Sequence, residues 1–229
     1  MNVAIIAAAG QGTRLGGSRP KQFLELAGVP VIIHTLKRFE LCAEIQEVIV
    51  VLPAQDAAGF LALAGKYGLR KLARVVPGGA TRAQSVWRGL QAVRAATAEI
   101  VAVHDGVRPF VTAEEIERTV RAARASGAAI LTAPVIDTIK EAAQGQVVRT
   151  LERTTLRRAL TPQCFQYELL LRAFEQSPDS ANATDDSSLV ESLGVAVTIV
   201  EGDARNIKIT RPEDIALAEI LLKEVIGGQ

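Results

Sequence analysis

A glycine-rich segment with basic side chains follows the first apolar run of the chain. It spans residues 7–22, AAAGQGTRLGGSRPKQ, and includes Arg14 and Lys21. Glycines allow backbone N–H groups to approach a polyphosphate, and a fixed cation then neutralises its charge. The spacing matches neither GxxxxGK[ST] nor GxGxxG, because Leu15 stands where the last pattern needs glycine. The segment predicts a phosphate-binding loop, and a glycine-rich turn with two surface cations stays open as the alternative.

Three more polar or glycine-containing segments follow later apolar runs. They are Gly78-Gly79, His104-Asp105-Gly106 and Asp137-Thr138. In an open α/β sheet, the loops at the carboxyl ends of parallel strands meet at one edge, and ligands bind there. The four segments are therefore predicted to converge on one ligand-binding edge.

The elements that would position these loops are visible as short apolar runs. Six runs rich in β-branched residues predict strands: Val3–Ala7, Glu47–Leu52, Leu72–Val76, Glu99–His104, Ala128–Val135 and Val195–Val200. Their continuous apolarity is typical of strands covered on both faces. Start signals predict helices at Pro30, Thr81, Thr112 and Pro212. The alternation predicts an α/β fold with a doubly wound, mostly parallel, Rossmann-like sheet.

One segment breaks this alternation. Residues 136–160 are polar and charged and lack helical periodicity. They predict a protruding β-hairpin arm with Gly145 at its turn. Because no repeat or linker is visible elsewhere, residues 1–229 are predicted to form a single domain that carries this arm.

Composition narrows the functional classes. The chain has 229 residues, 48% of them hydrophobic, and 26 Lys and Arg against 25 Asp and Glu. This excludes general disorder and gives no basic footprint for nucleic acid or a membrane surface. Cys42 and Cys164 lie far apart, which argues against a disulfide framework or zinc site. With no signal or membrane segment apparent, a cytoplasmic protein is expected.

An ordered set of motifs covers essentially the whole chain. They are AAAGxGxRLG…PKQ, PGGxxRxxSVxxGL (77–90), HDGVRP (104–109), PVIDTIK (134–140), RRALTPQ (157–163), TDDSSLVE (184–191) and NIKITRPEDIALAE (206–219). Together they resemble the 2-C-methyl-D-erythritol 4-phosphate cytidylyltransferases of the non-mevalonate isoprenoid pathway. The resemblance implies a nucleotidyltransferase that joins CTP to this polyol phosphate, yields 4-diphosphocytidyl-2-C-methyl-D-erythritol and releases pyrophosphate. It also implies a Mg²⁺ requirement and a homodimer in which one subunit's arm completes the other's site.

The reaction that the resemblance implies needs no proton-abstracting group. The nucleophile is a phosphate monoester, whose second pKa is about 6, so it is largely ionised at neutral pH. The difficulty is that one anion must attack the α-phosphorus of another. Catalysis should therefore come from in-line positioning and from cations and Mg²⁺ that stabilise the negative charge.

The resemblance assigns roles to residues of this chain. The catalytic cations are Arg14, Lys21, Arg153 and Lys208. The nucleotide-binding residues are Ala8, Ala9, Gly10, Gly12, Gly79, Ser85, Asp105 and Gly106. The acceptor-binding residues are Arg108, Thr138, Arg153, Thr161, Thr184 and Lys208. Asp105 is the candidate metal ligand; otherwise the nucleotide phosphates hold Mg²⁺. Gly106 and Val107 depart from the family, which often has alanines there.

Two alternative functions remain open. A related enzyme could use CTP with ribitol 5-phosphate as acceptor, because the two enzyme classes differ mainly in acceptor-side residues. A non-catalytic nucleotide-binding module could retain the glycine-rich loop alone. The joint presence of Arg14, Lys21, Asp105 and Lys208 favours catalysis, since a binding module need not retain all four.

Overall fold

A computed structural model describes residues 1–10, 20–177 and 183–227 of the chain. The strands are β1 Val3–Ala7, β2 Glu25–Leu26, β3 Val29–Pro30, β4 Glu47–Leu52, β5 Leu72–Pro77, β6 Ile100–Asp105, β7 Ala128–Pro134, β8 Lys140–Ala143, β9 Gln146–Thr150, β10 Arg157–Gln166 and β11 Thr198–Glu201. The helices are α1 Val31–Leu41, α2 Ala57–Lys66, α3 Arg82–Gln91, α4 Ala113–Ser126, α5 Tyr167–Gln176, α6 Asp186–Glu191 and α7 Pro212–Gly227.

Seven strands form the central sheet in the order β11-β7-β10-β6-β1-β4-β5. All pairings are parallel except those of β10, which runs antiparallel to both β6 and β7. Alternate residues of β1 enter opposite cores. Ala4 and Ile6 belong to the core with α1, α2 and α4, whereas Val3 and Ile5 belong to the core with α3, α5 and α6. The prediction of a doubly wound, mostly parallel sheet is confirmed.

Strand β10 is the largest difference from the sequence-based prediction. Pro162 lies within this strand, although proline cannot donate a backbone hydrogen bond to a neighbouring strand. The sheet accommodates it with a register shift between Ala159 and Gln163, and the Thr161–Pro162 peptide bond is cis. The predicted arm boundary at residue 160 is therefore wrong, because residues 157–160 already belong to β10.

Helix starts follow the predicted signals closely. The Thr81 hydroxyl accepts a hydrogen bond from the Gln84 N–H at 3.1 Å and caps α3. Thr112 and Glu115 form the predicted capping box of α4. Helices α2 and α5 lacked such signals and were not predicted. No helix within the described ranges combines the length and apolarity needed to cross a membrane.

The segment before β10 contains a two-stranded hairpin. Strands β8 and β9 pair antiparallel, and Gly145 lies in the connecting turn with φ of +79°. This backbone conformation is one that glycine adopts without steric cost. All residues from Lys140 to Thr150 are exposed, so the hairpin lies outside the hydrophobic cores.

Candidate active site

A cavity of about 480 Å³ opens at the carboxyl edge of the parallel strands. Its described walls come from the loops that follow β1, β5 and β6, from the segment around Lys21 and from Lys208. The lining residues are Ala7, Ala8, Ala9, Gly10, Lys21, Gln22, Gly79, Ala80, Thr81, Arg82, Ser85, Asp105, Val107 and Lys208. Three of the four predicted segments converge here, whereas Asp137 and Thr138 are exposed and outside this wall.

Two glycines allow the three loops to approach one another. A Cβ at Gly78 would lie 2.2 Å from the Ala9 Cβ, and one at Gly106 would lie 2.7 Å from the Ala8 Cβ. The Gly106 N–H also donates to the Ala7 carbonyl at 2.9 Å. Gly106 therefore supports the loops through close packing. Alanine at this position would require Ala8 to shift.

The amino end of α3 shapes one wall of the cavity. The Ser85 hydroxyl accepts from the Gly79 N–H at 3.1 Å and donates to the Thr81 carbonyl at 2.9 Å. These bonds fold the loop after β5 over the start of the helix. The first backbone N–H groups of a helix carry partial positive charge and favour anions.

Asp105 is the electrostatic centre of the cavity. Its Oδ1 lies 3.1 Å from Arg82 Nε, and its Oδ2 lies 3.2 Å from Arg108 Nε and 2.9 Å from Lys208 Nζ. Burial by itself would raise the pKa of this carboxyl, but the three cations outweigh it and hold the pKa well below its usual range. Asp105 is therefore ionised at neutral pH and fixes three cations near one point.

Lys208 reaches the cavity from the segment after β11. The neighbouring Ile209 N–H donates to the Val107 carbonyl at 2.9 Å. The Asn206 side-chain amide donates to the Thr161 carbonyl at 2.9 Å. These bonds attach the segment to the loop after β6 and to β10. Lys208 and Lys21 consequently line the same cavity although 187 positions of sequence separate them.

His104 and Thr161 form a buried network beneath Asp105. The Thr161 hydroxyl lies 2.9 Å from His104 Nδ1 and accepts from the Asp105 N–H at 3.3 Å. His104 Nε2 lies 3.1 Å from the Arg108 carbonyl and must donate there, which leaves Nδ1 to accept from Thr161. Burial lowers the pKa of His104 to about 4. His104 fixes the loop as a neutral ring, and Thr161, predicted to bind the acceptor, lies outside the wall.

His104 should make folding stability depend on pH. The pKa of His104 is about 4 in the folded protein and 6.5 in the unfolded chain. Between these two pH values, His104 is therefore protonated in the unfolded chain and neutral in the folded protein. Stability should fall by up to about 3 kcal/mol as the pH drops from neutral to the folded pKa. In His104→Gln this loss should be absent. Urea unfolding of both proteins at neutral pH and at about pH 4.5 measures it, and equal losses would contradict this account of His104.

Arg108 is placed differently from its predicted acceptor-binding role. Besides its pair with Asp105, its Nη1 donates to the Asn206 carbonyl at 2.8 Å. The side chain is buried and is not part of the cavity wall. Arg108 therefore holds Asp105 and the Lys208 segment together.

Three further predicted residues, all of them described, do not line this wall. Thr138 and Thr184 are exposed. Arg153 is also exposed, and its Nη1 donates to the Ile136 carbonyl at 2.8 Å. Gly12 and Arg14 lie outside the described residues, so the structure gives no position for these two predictions.

The sequence alone leaves Arg82 open between supporting the loop and contacting ligand, and the structure places it in the cavity wall. Its position in the sequence gave a signal, because it is the first helical residue after the Thr81 cap and follows two glycines. Arg82 also pairs with the buried Asp186, whose Oδ2 lies 2.9 Å from Nη2. Burial by itself would lower the pKa of Arg82, but the two carboxylates outweigh it and raise that pKa.

Few side chains among the described residues could bind a metal ion directly. No group of three or more His, Cys, Asp or Glu side chains suited to a metal ion occurs in the parts of the chain that the structure describes. Asp105 is the single carboxylate among the described lining residues, and both of its oxygens face cations. Mg²⁺ commonly binds through one or two carboxylates, waters and substrate phosphates. The wall therefore fits a metal brought mainly by phosphates, with Asp105 beside it.

Comparison with known proteins gives consistent results. The family profile of 2-C-methyl-D-erythritol 4-phosphate cytidylyltransferase matches residues 2–224. The enzyme of that name from Bacillus licheniformis is 44% identical over 220 residues, which cover 96% of this chain and 94% of the relative. The one from Pelotomaculum thermopropionicum is 45% identical, with 96% and 93% covered. The solved 4-diphosphocytidyl-2C-methyl-D-erythritol synthase of Anaerococcus prevotii has a TM-score of 0.84 at 34% identity, with 97% and 98% covered.

Proposed function

The chain belongs to the 2-C-methyl-D-erythritol 4-phosphate cytidylyltransferase family. From this we propose which of its residues bind each substrate and which stabilise the transition state. It is a nucleotidyltransferase that joins CTP and 2-C-methyl-D-erythritol 4-phosphate. The products are 4-diphosphocytidyl-2-C-methyl-D-erythritol and pyrophosphate.

The observation that carries the proposal is a cavity wall with three cations and one carboxylate. Lys21, Arg82 and Lys208 line the wall, and Asp105 is its single carboxylate among the described residues. Such a wall attracts reactants that each bear phosphate. We assign the triphosphate to the side with Lys21 and the acceptor phosphate to the side with Lys208.

The nucleotide side is built largely from backbone. Ala8, Ala9, Gly10, Gly79 and Ser85 line the cavity, and we assign them to this side. Backbone N–H and carbonyl groups at fixed positions can recognise a base edge and phosphate oxygens. Arg14 and Gly12 are assigned to the same side by sequence motif alone.

The chemical step is an in-line displacement. An oxygen of the acceptor phosphate attacks the α-phosphorus of CTP, a new P–O bond forms, and the bond to the β-phosphate oxygen breaks. Pyrophosphate leaves with the electron pair, and no proton has to be removed from the ionised nucleophile. The neutral, internally bonded His104 is consistent with this. Lys21 and Lys208 stabilise the charge that develops on the phosphoryl oxygens.

Mg²⁺ is part of the proposal. Bound to the triphosphate, it would polarise the phosphoryl oxygens and neutralise charge on the leaving pyrophosphate. Asp105, the single carboxylate among the described lining residues, would be its neighbour on the protein. The lysines hold the phosphates from the other sides, so the protein itself needs to supply few metal ligands.

We further propose a homodimer in which the hairpin arm completes the partner's acceptor site. Arg153 lies beyond β9, is exposed and is not part of its own cavity wall. Arginine presents a planar fork that matches phosphate oxygens. A partner's cavity would give this guanidinium a phosphate to bind. The assignment of Thr138 and Thr184 to the acceptor rests on the family motif.

Replacing Arg153 by alanine should affect acceptor use selectively. The KM for 2-C-methyl-D-erythritol 4-phosphate should rise about 10–100-fold, since a hydrogen bond to a charged group contributes about 1.5–3 kcal/mol. CTP affinity, measured by calorimetry without acceptor, should stay nearly unchanged. Loss of CTP binding would contradict the two-sided division of the site.

Mixed dimers test whether the site is shared. Lys21→Ala and Arg153→Ala subunits, co-expressed with different tags and purified through both, form a dimer with one intact site. At an acceptor concentration near the wild-type KM, such a dimer should regain about half of the wild-type rate, although each parent dimer is nearly inactive under that condition. A heterodimer as inactive as its parents would show that Arg153 acts within its own subunit.

An acceptor panel tests the reaction itself. Pyrophosphate release is measured with CTP, Mg²⁺ and equal concentrations of 2-C-methyl-D-erythritol 4-phosphate or ribitol 5-phosphate. We expect the first acceptor to react much faster. A faster reaction with ribitol 5-phosphate, or CTP binding with no turnover, would favour one of the two alternative functions.

We also place the enzyme in the cytoplasm. Both cysteines, Cys42 and Cys164, are unpaired and buried. Free thiols are the usual state in a reducing compartment.

A further inference from the structure

We propose that Asp186 is a positioning residue that holds the guanidinium of Arg82 in the cavity wall. The proposal rests on the proposed function, in which this wall binds phosphate groups. It assigns a role to a buried carboxylate outside the cavity wall, at the start of α6.

Arg82 is held between two carboxylates on different elements. Its Nε lies 3.1 Å from Asp105 Oδ1, and its Nη2 lies 2.9 Å from Asp186 Oδ2. The Arg82 side chain is 25% exposed, whereas that of Asp186 is 1% exposed. Arg82 therefore faces the cavity and Asp186 lies behind it. A guanidinium has five donors in one rigid plane, so fixing two of its nitrogens orients the donors that a phosphate can use.

Gln163 fixes Asp186 in turn. Its Oε1 accepts from the N–H groups of Asp186 and Ser187, both at 3.0 Å. Its Nε2 donates to Asp185 Oδ2 at 2.9 Å. Gln163 is buried in β10, opposite Val103 of β6. The central sheet thus sets where α6 begins and where the Asp186 carboxylate lies.

The cap of α6 does not explain why Asp186 is a carboxylate. Asp185 performs the capping, because its Oδ1 accepts from the Ser188 N–H at 3.1 Å. Burial raises the pKa of Asp186, and the Arg82 charge opposes that rise. A buried carboxylate is costly unless it is paired. The described ion pair of Asp186 is with Arg82, and this points to a role at the cavity.

Losing the Asp186 charge would change the wall without removing its cations. Arg82 would then turn to pair with both oxygens of Asp105, the geometry that arginine prefers with a single carboxylate. Asp105 Oδ2 already holds Lys208 at 2.9 Å, so Arg82 would compete with Lys208 for it. The attraction for phosphate would persist while the alignment for transfer would be lost.

The test compares Asp186→Asn with a matched variant, Glu191→Gln. In Asp186→Asn, kcat should fall about 10–100-fold, because misplacement by about 1 Å can cost 10²-fold. The KM for CTP should change by less than about threefold, because Arg82 keeps its charge. Glu191→Gln removes one charge from the other end of α6, keeps an oxygen that can accept from the Ser187 hydroxyl and should leave kcat within about twofold. A kcat for Asp186→Asn within twofold of wild type, or an equal loss in Glu191→Gln, would overturn the proposal.

A double-mutant cycle excludes a merely structural effect. Arg82→Lys keeps the charge, but the donors of a lysine all lie on one nitrogen, which cannot bridge the two carboxylates as a guanidinium does. If Asp186 acts through Arg82, the double variant should have about the same kcat as Arg82→Lys alone. Losses that multiply would overturn the proposal. If Lys21→Ala is inactive while Asp186→Asn is fully active, only this inference fails; an active Lys21→Ala would contradict the proposed division of the site.

Discussion

Replacing Lys21 by alanine is expected to lower kcat about 10²–10³-fold, the usual effect of removing one group that stabilises charge in a transition state. Lys21 lines the cavity near the end of the glycine-rich segment. The triphosphate gains negative charge on its leaving part as the α-phosphorus bond breaks. A cation held at that point stabilises the transition state more than it stabilises bound CTP.

The assay for this variant is pyrophosphate release at saturating CTP and acceptor. Lys37→Ala is the matched control, since it removes the same side chain from the exposed face of α1, where the ammonium lies 5.3 Å from the centre of the Tyr67 ring. The control should keep the wild-type rate. Turnover near normal in Lys21→Ala would remove this lysine from the mechanism.

Replacing Asp105 by asparagine is expected to damage both stability and activity. It leaves Arg82, Arg108 and Lys208 around a neutral amide. Breaking a buried ion pair typically costs about 3–5 kcal/mol of folding free energy. The turnover number should fall by about 10²-fold as well, because Arg82 and Lys208 lose the carboxylate that holds them in position for the phosphate groups.

The pH dependence gives this prediction a second test. The folded pKa of Asp105 is depressed, so the stability that its charge contributes is complete above the ordinary pKa near 4 and is lost as the pH falls further. The stability difference between wild type and Asp105→Asn should be constant from neutral pH to about pH 5 and narrow below about pH 4. Denaturant unfolding measures it. A difference that narrows already near neutral pH would contradict the depressed pKa.

Asp203→Asn is the control for Asp105→Asn. Asp203 pairs with Arg205 on the surface, where both side chains are well exposed. Exposed ion pairs contribute little to folding stability, because water and salt screen them. The control should therefore unfold at nearly the wild-type denaturant concentration.

Runs of consecutive apolar residues were enough to predict most strands of the central sheet and the edge of the sheet at which the site forms. Strands buried on both faces carry that signal in their own composition, as β1 and β4 do. Strand β10 could not be predicted from its own sequence. Pro162 lacks the backbone N–H that a residue inside a sheet normally donates, and the sheet accommodates it through the register shift around it. That shift depends on β7, which is distant in sequence.

The motifs located the site but did not separate ligand contacts from supporting residues. Thr161 and Arg108 belong to motifs, yet both are buried and bond to neighbouring protein groups. Arg82 belongs to a motif and faces the cavity. Supporting and binding residues are both polar, and only packing shows which of them reaches open space. That information arises from the assembled loops and is absent from any one segment.

The reversed direction of β10 has a consequence for how the rate depends on enzyme concentration. Arg157 of β10 pairs with Pro134, the last residue of β7, so the chain leaves and re-enters the sheet at the ligand edge. The hairpin between them therefore starts beside the cavity. With the arm shared as proposed, association of the two subunits and binding of the acceptor are thermodynamically linked. Dilution would then weaken acceptor use before it weakens nucleotide use, and the acceptor in turn would tighten the pair of subunits.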